Sequence, residues 1–229
     1  MKKRSEDIIV AVAGQPNSGK STIFNMLTGA RQHVANYPGI TVEKRTGKYN
    51  YKGNNVILVD LPGTYSLTSY SQEERIARDY LIHEKPDVVL NIVDASNLER
   101  NLYLTFQLAE TGVPLVVALN MIDVAQDRHI KIDTAGLSQH LGASVVPTVG
   151  KKGKGKQELK EAILNNHENP ANNRFRVDYG ETLEPILRSL EKRLSEDPGI
   201  SARYPVRWLA VKLMEHDSKA IELVRKTLS

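Results

Sequence analysis

Gly14-Gln15-Pro16-Asn17-Ser18-Gly19-Lys20-Ser21 is the stretch on which the fold turns. It follows the apolar run Ile8 to Ala13, which reads as a buried strand, and it leads into a helix beginning near Ser21. Glycines at the first and sixth places followed by Lys and Ser make the Walker A pattern, and the strand-loop-helix context gives the pattern its meaning. The glycines let backbone N–H groups curl around a phosphate, and the helix N-terminus adds partial positive charge. Lys20 sets an ammonium between two phosphates, Ser21 offers a hydroxyl to magnesium, and Thr22 continues the cradle.

Outward from this loop, the chain alternates short β-branched runs with amphipathic segments of helix length as far as about Leu164. That alternation predicts an α/β domain with a mostly parallel sheet flanked by helices. Ile8 to Ala13, Val56 to Val59, Val88 to Val93, Leu115 to Leu119 and Ser144 to Pro147 are the expected central strands, and Tyr49 to Asn55 reads as a hairpin. Two further tetrapeptides fall at strand ends. In Asp60-Leu61-Pro62-Gly63 the carboxylate can hold a magnesium-bound water, while the Gly63 N–H can sense a γ-phosphate. In Asn120-Met121-Ile122-Asp123 the carboxylate can accept from guanine N1–H and the 2-amino group, with Asn120 bracing the loop. Three such motifs in this order point to a nucleoside triphosphate hydrolase that selects guanine.

Beyond the basic run Lys151 to Lys156, read as a solvated loop, a helix is expected around Leu159 to Leu164. The Asn-rich stretch Asn165 to Asn173 reads as a linker, and the division falls into residues 1–168 and 169–229. The second part is expected to be all helical. Leu183, Ile186, Leu187, Leu190 and Leu194 form one apolar stripe that Pro198-Gly199 ends, a second helix runs from Pro205 to His216, and Asp217 caps a third.

The three motifs together resemble the Ras-like P-loop GTPases of the translation-factor and Era-like group. Met121, where those proteins carry Lys, is typical of the ferrous iron transporter B (FeoB) family. Asn36-Tyr37-Pro38-Gly39-Ile40-Thr41-Val42-Glu43 resembles the switch I segment of that family, and Arg207-Trp208-Leu209-Ala210-Val211-Lys212-Leu213-Met214-Glu215 resembles a signature of its helical, guanine-dissociation-inhibitor-like domain. The resemblance covers nearly the whole chain. It implies GTP and GDP as ligands, magnesium held by Ser21, Thr41 and Asp60, and a place on the cytoplasmic face of the bacterial inner membrane. A transmembrane permease continuous with this chain is implied as well, and a homo-oligomer is compatible with it. Asn17 at this Walker A position resembles the potassium-activated GTPases, which implies potassium held by Asn17 and the carbonyls of Ala35 and Tyr37. Lys20, Asn17, Thr41 and Gly63 are then the catalytic group. Thr64 stands where Ras-like enzymes carry a water-orienting Gln, so slow turnover is expected. Val149 and Gly150 occupy the usual Ser-Ala pair whose backbone meets the guanine 6-oxo group. With glycines at 150, 153 and 155 the loop is expected to be loose and ATP to be used weakly.

Composition narrows the alternatives. The 229 residues are 40% hydrophobic and 25% charged with a net charge of +4, too modest to call for a nucleic-acid partner. An Era-like RNA-associated GTPase would need a basic domain after the first, but the final helices mix both signs of charge. A nucleotide switch without hydrolysis is the other alternative. Cysteine is absent, which removes disulfides and thiolate metal sites. His33, His83, His129, His140, His167 and His216 share no metal-ligand spacing.

Overall fold

The computed structural model describes residues 7–29, 32–37, 42–68, 70–170 and 176–228. Thr41, expected to reach magnesium, lies outside the described residues, as do Pro38, Gly39 and Ile40 of the same segment.

Among the described residues the sheet has seven strands in the order β2-β3-β4-β1-β5-β6-β7. β1 (Ile8–Gly14), β4 (Asn54–Asp60), β5 (Val88–Asp94), β6 (Leu115–Asn120) and β7 (Ser144–Pro147) run parallel. Their near-continuous Val, Ile, Leu and Ala content is what strands covered on both faces require. In register, Val10 stands between Leu58 of β4 and Val88 of β5, and all three side chains are buried. β2 (Gln32–Asn36) and β3 (Glu43–Tyr51) add an antiparallel margin, with Tyr51 pairing Asn54 across the expected hairpin. β2 was not read from the sequence. The stretch before Tyr37 is the outer strand of the sheet, because β3 presents an unpaired backbone edge from Gly47 to Glu43 on which residues 32–36 lie in register.

Helices α1 (Lys20–Thr28) and α6 (Lys156–Glu168) cover one face of the sheet, burying Ile23, Phe24, Leu159 and Ile163. α2 (Gln72–Asp79), α3 (Leu98–Glu110), α4 (Ile122–Asp127) and α5 (Thr134–Leu141) contribute to the other, around Leu104, Leu108, Ala125 and Leu141. α6 runs four residues past the point at which the linker was expected to begin, through Asn165 to Glu168. Asn166 is the reason: its carboxamide donates to Ser144 Oγ at 2.9 Å and to the Ala162 carbonyl at 2.8 Å, so it is anchored on the domain. Of the remaining linker, residues 171–173 lie outside the described part.

α7 (Gly180–Ser195), α8 (Pro198–Ser201), α9 (Val206–Met214) and α10 (Ser218–Leu228) form the C-terminal helical region. Pro198 does more than follow the end of α7. It is the first residue of α8, where its missing N–H is no loss, and Asp197 caps that turn by accepting from Ile200 N at 3.0 Å. Asp217 caps α10 by accepting from the N–H groups of Lys219 and Ala220, both at 2.9 Å. Leu187, Leu194, Ile200, Leu209 and Trp208 form its core, and Arg207 ties α9 to α7 by bonds to Glu184 at 2.5 Å and Glu191 at 2.6 Å. The Arg207 hydrogen bonds hold the Glu184 carboxyl down at about 2. Ile82, in a π-helical turn (Tyr80–Glu84) that continues α2, inserts into the same core.

Trp208 is 1% exposed, and its indole N–H has no partner among the described residues. Trp208→Ala should therefore cost about 3–5 kcal/mol in urea unfolding followed by circular dichroism. Trp208→Phe, which keeps an aromatic ring and removes the unsatisfied donor, should cost less than Trp208→Ala.

Candidate functional site

Six of the seven strands, all but β3, end on one side of the sheet, and the candidate residues gather on the loops leaving β1, β4, β6 and β7. Chain order reverses across β4-β1-β5, which opens a crevice of the kind that takes ligands at the carboxyl ends of strands.

The loop after β1 is held by its own side chains. Gln15 is buried and donates Nε2–H to the Arg100 carbonyl at 2.6 Å, so its carboxamide anchors the loop to the start of α3. Ser18 is also buried, and its N–H donates to the Gln15 carbonyl at 3.2 Å. Pro16 and Asn17 are exposed, and Asn17 has the left-handed φ of 67° that a short amide side chain tolerates. A Cβ on Gly14 would lie 2.7 Å from the Ile92 carbonyl oxygen of β5. Gly19 has φ 88°, and a Cβ there would come within 2.2 Å of Asn120 Nδ2. Glycine is required at both places because neighbouring strands approach the loop this closely.

Lys20 opens α1, and its ammonium pairs with Asp60 Oδ1 at 2.5 Å. Ser21 is exposed on the first turn of α1 and Thr22 is half-buried beside it. The loop after β4 is fixed to β1 by Leu61 N–H donating to the Val12 carbonyl at 3.0 Å and Thr64 N–H to the Gly14 carbonyl at 3.3 Å. Gly63 lies against Pro16: a Cβ there would sit 3.5 Å from the Pro16 Cα. Thr64 is buried and donates its hydroxyl to the Ser66 carbonyl at 2.7 Å, so it is turned into its own loop.

Asn120, buried at the end of β6, joins three segments. Its Nδ2 donates to the Ser18 carbonyl at 3.0 Å, and its Oδ1 accepts from Gly150 N–H at 3.0 Å and from Thr148 Oγ1 at 3.4 Å. Met121 follows with φ 59° and lays its side chain toward Gly19, its Cε 3.5 Å from where a Cβ would stand. Asp123, in the first turn of α4, accepts from Val124 N–H at 3.1 Å and from Lys152 Nζ at 3.0 Å. The Lys152 ammonium holds the Asp123 carboxyl below the usual carboxylate range.

The loop after β7 departs from expectation: hydrogen bonds close it. Val149 N–H donates to the Lys154 carbonyl and Lys154 N–H to the Val149 carbonyl, at 3.2 and 3.3 Å, around a 3-10 turn from Gly150 to Lys152. Gly153 (φ 69°) and Gly155 (φ 86°) supply the left-handed backbone by which the turn closes, so here glycine permits order. Val149 is core, and the Gly150 N–H, expected to face a base, is engaged by Asn120.

Ala35 lies within β2 opposite Lys44, and Tyr37 follows with its N–H donating to the Val42 carbonyl at 2.9 Å. The Tyr37 ring is buried, its hydroxyl reaches the Asp60 carbonyl at 3.3 Å, and Lys44 Nζ stands 5.7 Å from its centroid and 5.5 Å from that of Tyr80. Sequence reading named only its backbone; an aromatic in a polar segment was the available signal. Gln15 as an anchor, Thr148 and Lys152 were missed because their roles depend on partners 85, 28 and 29 residues away. Among the described residues no group of three His, Asp or Glu side chains could hold a metal. His83 packs edge-on against Tyr204 and His167 lies 3.8 Å from Asp87. The Ser21 hydroxyl and Asp60 carboxylate are hard oxygen donors of the kind magnesium takes.

Removing the Asn120 carboxamide orphans the Gly150 N–H and the Ser18 carbonyl together. Asn120→Ala should lower the unfolding free energy by roughly 1–3 kcal/mol in denaturant titration.

Comparison with known proteins finds two family models on this chain: "Ferrous iron transport protein B" over residues 8–163 and "FeoB cytosolic helical domain" over residues 179–229. A fusion of Fe(2+) transport protein A and Fe(2+) transporter FeoB from Porphyromonas gingivalis is 44% identical over 222 residues, 96% of this chain and 26% of that protein. The chain thus spans about a quarter of the length of the curated relatives it matches. The cytosolic domain of the T. maritima FeoB iron transporter is similar in its GDP form II (39% identity, TM-score 0.89, covering 97% of this chain and 87% of that one). Its GMPPNP form is similar too (40% identity, TM-score 0.88, covering 96% and 86%). No helix among the described residues is long and apolar enough to cross a membrane.

Proposed function

The chain belongs to the ferrous iron transport protein B (FeoB) family, and from that footing we propose that it binds and hydrolyses GTP as the regulatory domain of a bacterial ferrous iron transporter. Residues 1–168 would form the GTPase domain and 169–229 the helical domain, at the cytoplasmic face of the inner membrane and continuous with a transmembrane permease. The observation that carries the reading is the Asn120 carboxamide, which locks the Walker A loop and the loop after β7 together beside Asp123. That assembly offers a phosphate cradle and a guanine-selective carboxylate within one hydrogen-bonded unit. The GDP and GMPPNP forms of the similar T. maritima cytosolic domain fit it.

Binding, in this reading, is an exchange of partners. Lys20 leaves Asp60 for the β- and γ-phosphate oxygens, and the freed Asp60 carboxylate orders a water. Ser21, Asp60 and Thr41 would hold magnesium, which neutralises charge developing on the phosphates when bound. Gly63, which lies against Pro16, would donate its N–H to the γ-phosphate. Thr64, committed to the Ser66 carbonyl, supplies no amide to orient the attacking water, which favours slow turnover. The exposed Asn17 carboxamide would serve a potassium ion with the carbonyls of Ala35 and Tyr37, a neutral oxygen set suited to that cation. Since Ala35 sits in β2, this requires the end of that strand to turn toward the loop.

GTP hydrolysis should be faster in potassium than in sodium at equal ionic strength, and Asn17→Ala should remove most of the difference; equal rates in the two salts would end the potassium assignment. Absence of turnover in either salt, with nucleotide still bound, would instead favour a switch without hydrolysis. Thr41→Ala should slow hydrolysis while leaving GDP affinity nearly intact.

Weak use of ATP rests on a different physical reason from the expected looseness. The Gly150 N–H that would reward a 6-oxo group already donates to Asn120, so Asp123 carries most of the discrimination. Parallel turnover measurements should give a measurable but lower rate with ATP than with GTP. Complete inactivity with millimolar ATP would show that Asp123 suffices.

A further inference from the structure

The loop after β7 delivers a cation to the carboxylate that faces the base. Lys152 ends the 3-10 turn that begins at Gly150, and its Nζ lies 3.0 Å from Asp123 Oδ2. The other oxygen, Oδ1, accepts from Val124 N–H, so both carboxylate oxygens have donors within the chain. The direction of Lys152 is built into the loop. Asn120 fixes the start of the turn through the Gly150 N–H, the paired bonds between Val149 and Lys154 close it, and Gly153 in the left-handed region brings the chain back. Asp127, at the end of α4, adds a second negative charge that favours the Lys152 ammonium.

Resting on the GTP-binding reading above, we infer that Lys152 is a specificity-tuning residue that stands in for guanine at Asp123: its ammonium occupies the acceptor that the base N1–H and 2-amino group need, and must swing away for guanine to dock. An ammonium and the guanine edge present the same chemistry to a carboxylate, N–H donors and positive polarity. They therefore compete for it. Lys152 is largely exposed and Asp123 about a third exposed, so water screens the pair and the barrier it adds is small. The pair keeps the carboxylate oriented and satisfied while lowering the rate at which guanine nucleotides enter. It also narrows the margin over adenine, because part of the carboxylate charge that repels the adenine edge is neutralised.

Competition before binding is separable from contact after binding. Stopped-flow measurement with a fluorescent N-methylanthraniloyl-GDP should give an association rate constant about two- to fivefold higher for Lys152→Met than for the unaltered protein. Its dissociation rate constant should be unchanged. Lys151→Met removes the same charge from the same loop but leaves the ion pair, and should show no such acceleration. Lys152→Arg, which keeps a cation on Asp123, should behave as the unaltered protein. Unchanged association in Lys152→Met would overturn the inference, as would faster dissociation, which would make Lys152 a residue that holds the bound base. A protein that took up no guanine nucleotide would overturn the GTP-binding reading itself and this inference with it.

Discussion

The Asn120 carboxamide is the constraint on which the site depends. It is 3% exposed, and its NH2 group and its oxygen are both engaged with segments remote in sequence: the Ser18 carbonyl on one side, Gly150 N–H and Thr148 Oγ1 on the other. In a buried, weakly screened setting such a group is costly to leave unmet, so the three segments hold one arrangement together. The same closeness dictates Gly19, since any side chain there would collide with Nδ2. It also explains Met121. The residue that follows Asn120 must take a left-handed backbone to start α4, and its flexible thioether then lies over Gly19, where shape matters more than charge.

Charge at the strand ends is balanced inside the chain. Lys20 answers Asp60 and Lys152 answers Asp123, so each carboxylate suited to a nucleotide function already has a cation beside it. A ligand bringing phosphates at one end and guanine donors at the other would exchange these pairs. The two exchanges differ in strength. Lys20 and Asp60 are mostly shielded from solvent, whereas Lys152 is largely exposed, and exposure is what makes the second pair a modulator and the first a commitment.

The helical region is joined to the same machinery through α2. The π-helical turn that continues α2 places Ile82 in the core built by Leu187, Trp208 and Leu209. Arg78, buried on α2, lies 3.6 Å from Asp217, the residue that caps α10, and Lys85 donates to the Ala202 carbonyl at 2.8 Å. Tyr179 at the start of α7 donates to Glu110 at the end of α3. α2 begins at Gln72, nine residues after Gly63, and its contacts with the helical region make it part of a packed core, which resists small continuous deformation.

Local constraints were legible in the sequence. Residues 14–21, the tetrapeptides at 60 and 120 and the apolar strands each declare themselves within a few residues, because backbone freedom at glycine, apolar periodicity and helix capping are short-range effects; of the stripe expected on α7, Leu187 and Leu194 are core while Leu183 and Ile186 are exposed. The extent of α6 was not legible: Asn166 belongs to the helix because Ser144 is there to receive its carboxamide. Nor was the order of the loop after β7, whose glycines imply looseness until the bonds between Val149 and Lys154 and the tie to Asn120 are seen. A run of lysines and glycines does not say which lysine meets a carboxylate 29 residues earlier in the chain. The sequence by itself determined the fold class and the Walker A loop, and it singled out Asp123 as the candidate carboxylate for a base. Tertiary structure alone decided which polar groups are free and which are engaged, because a hydrogen bond between distant segments depends on where the sheet brings their ends.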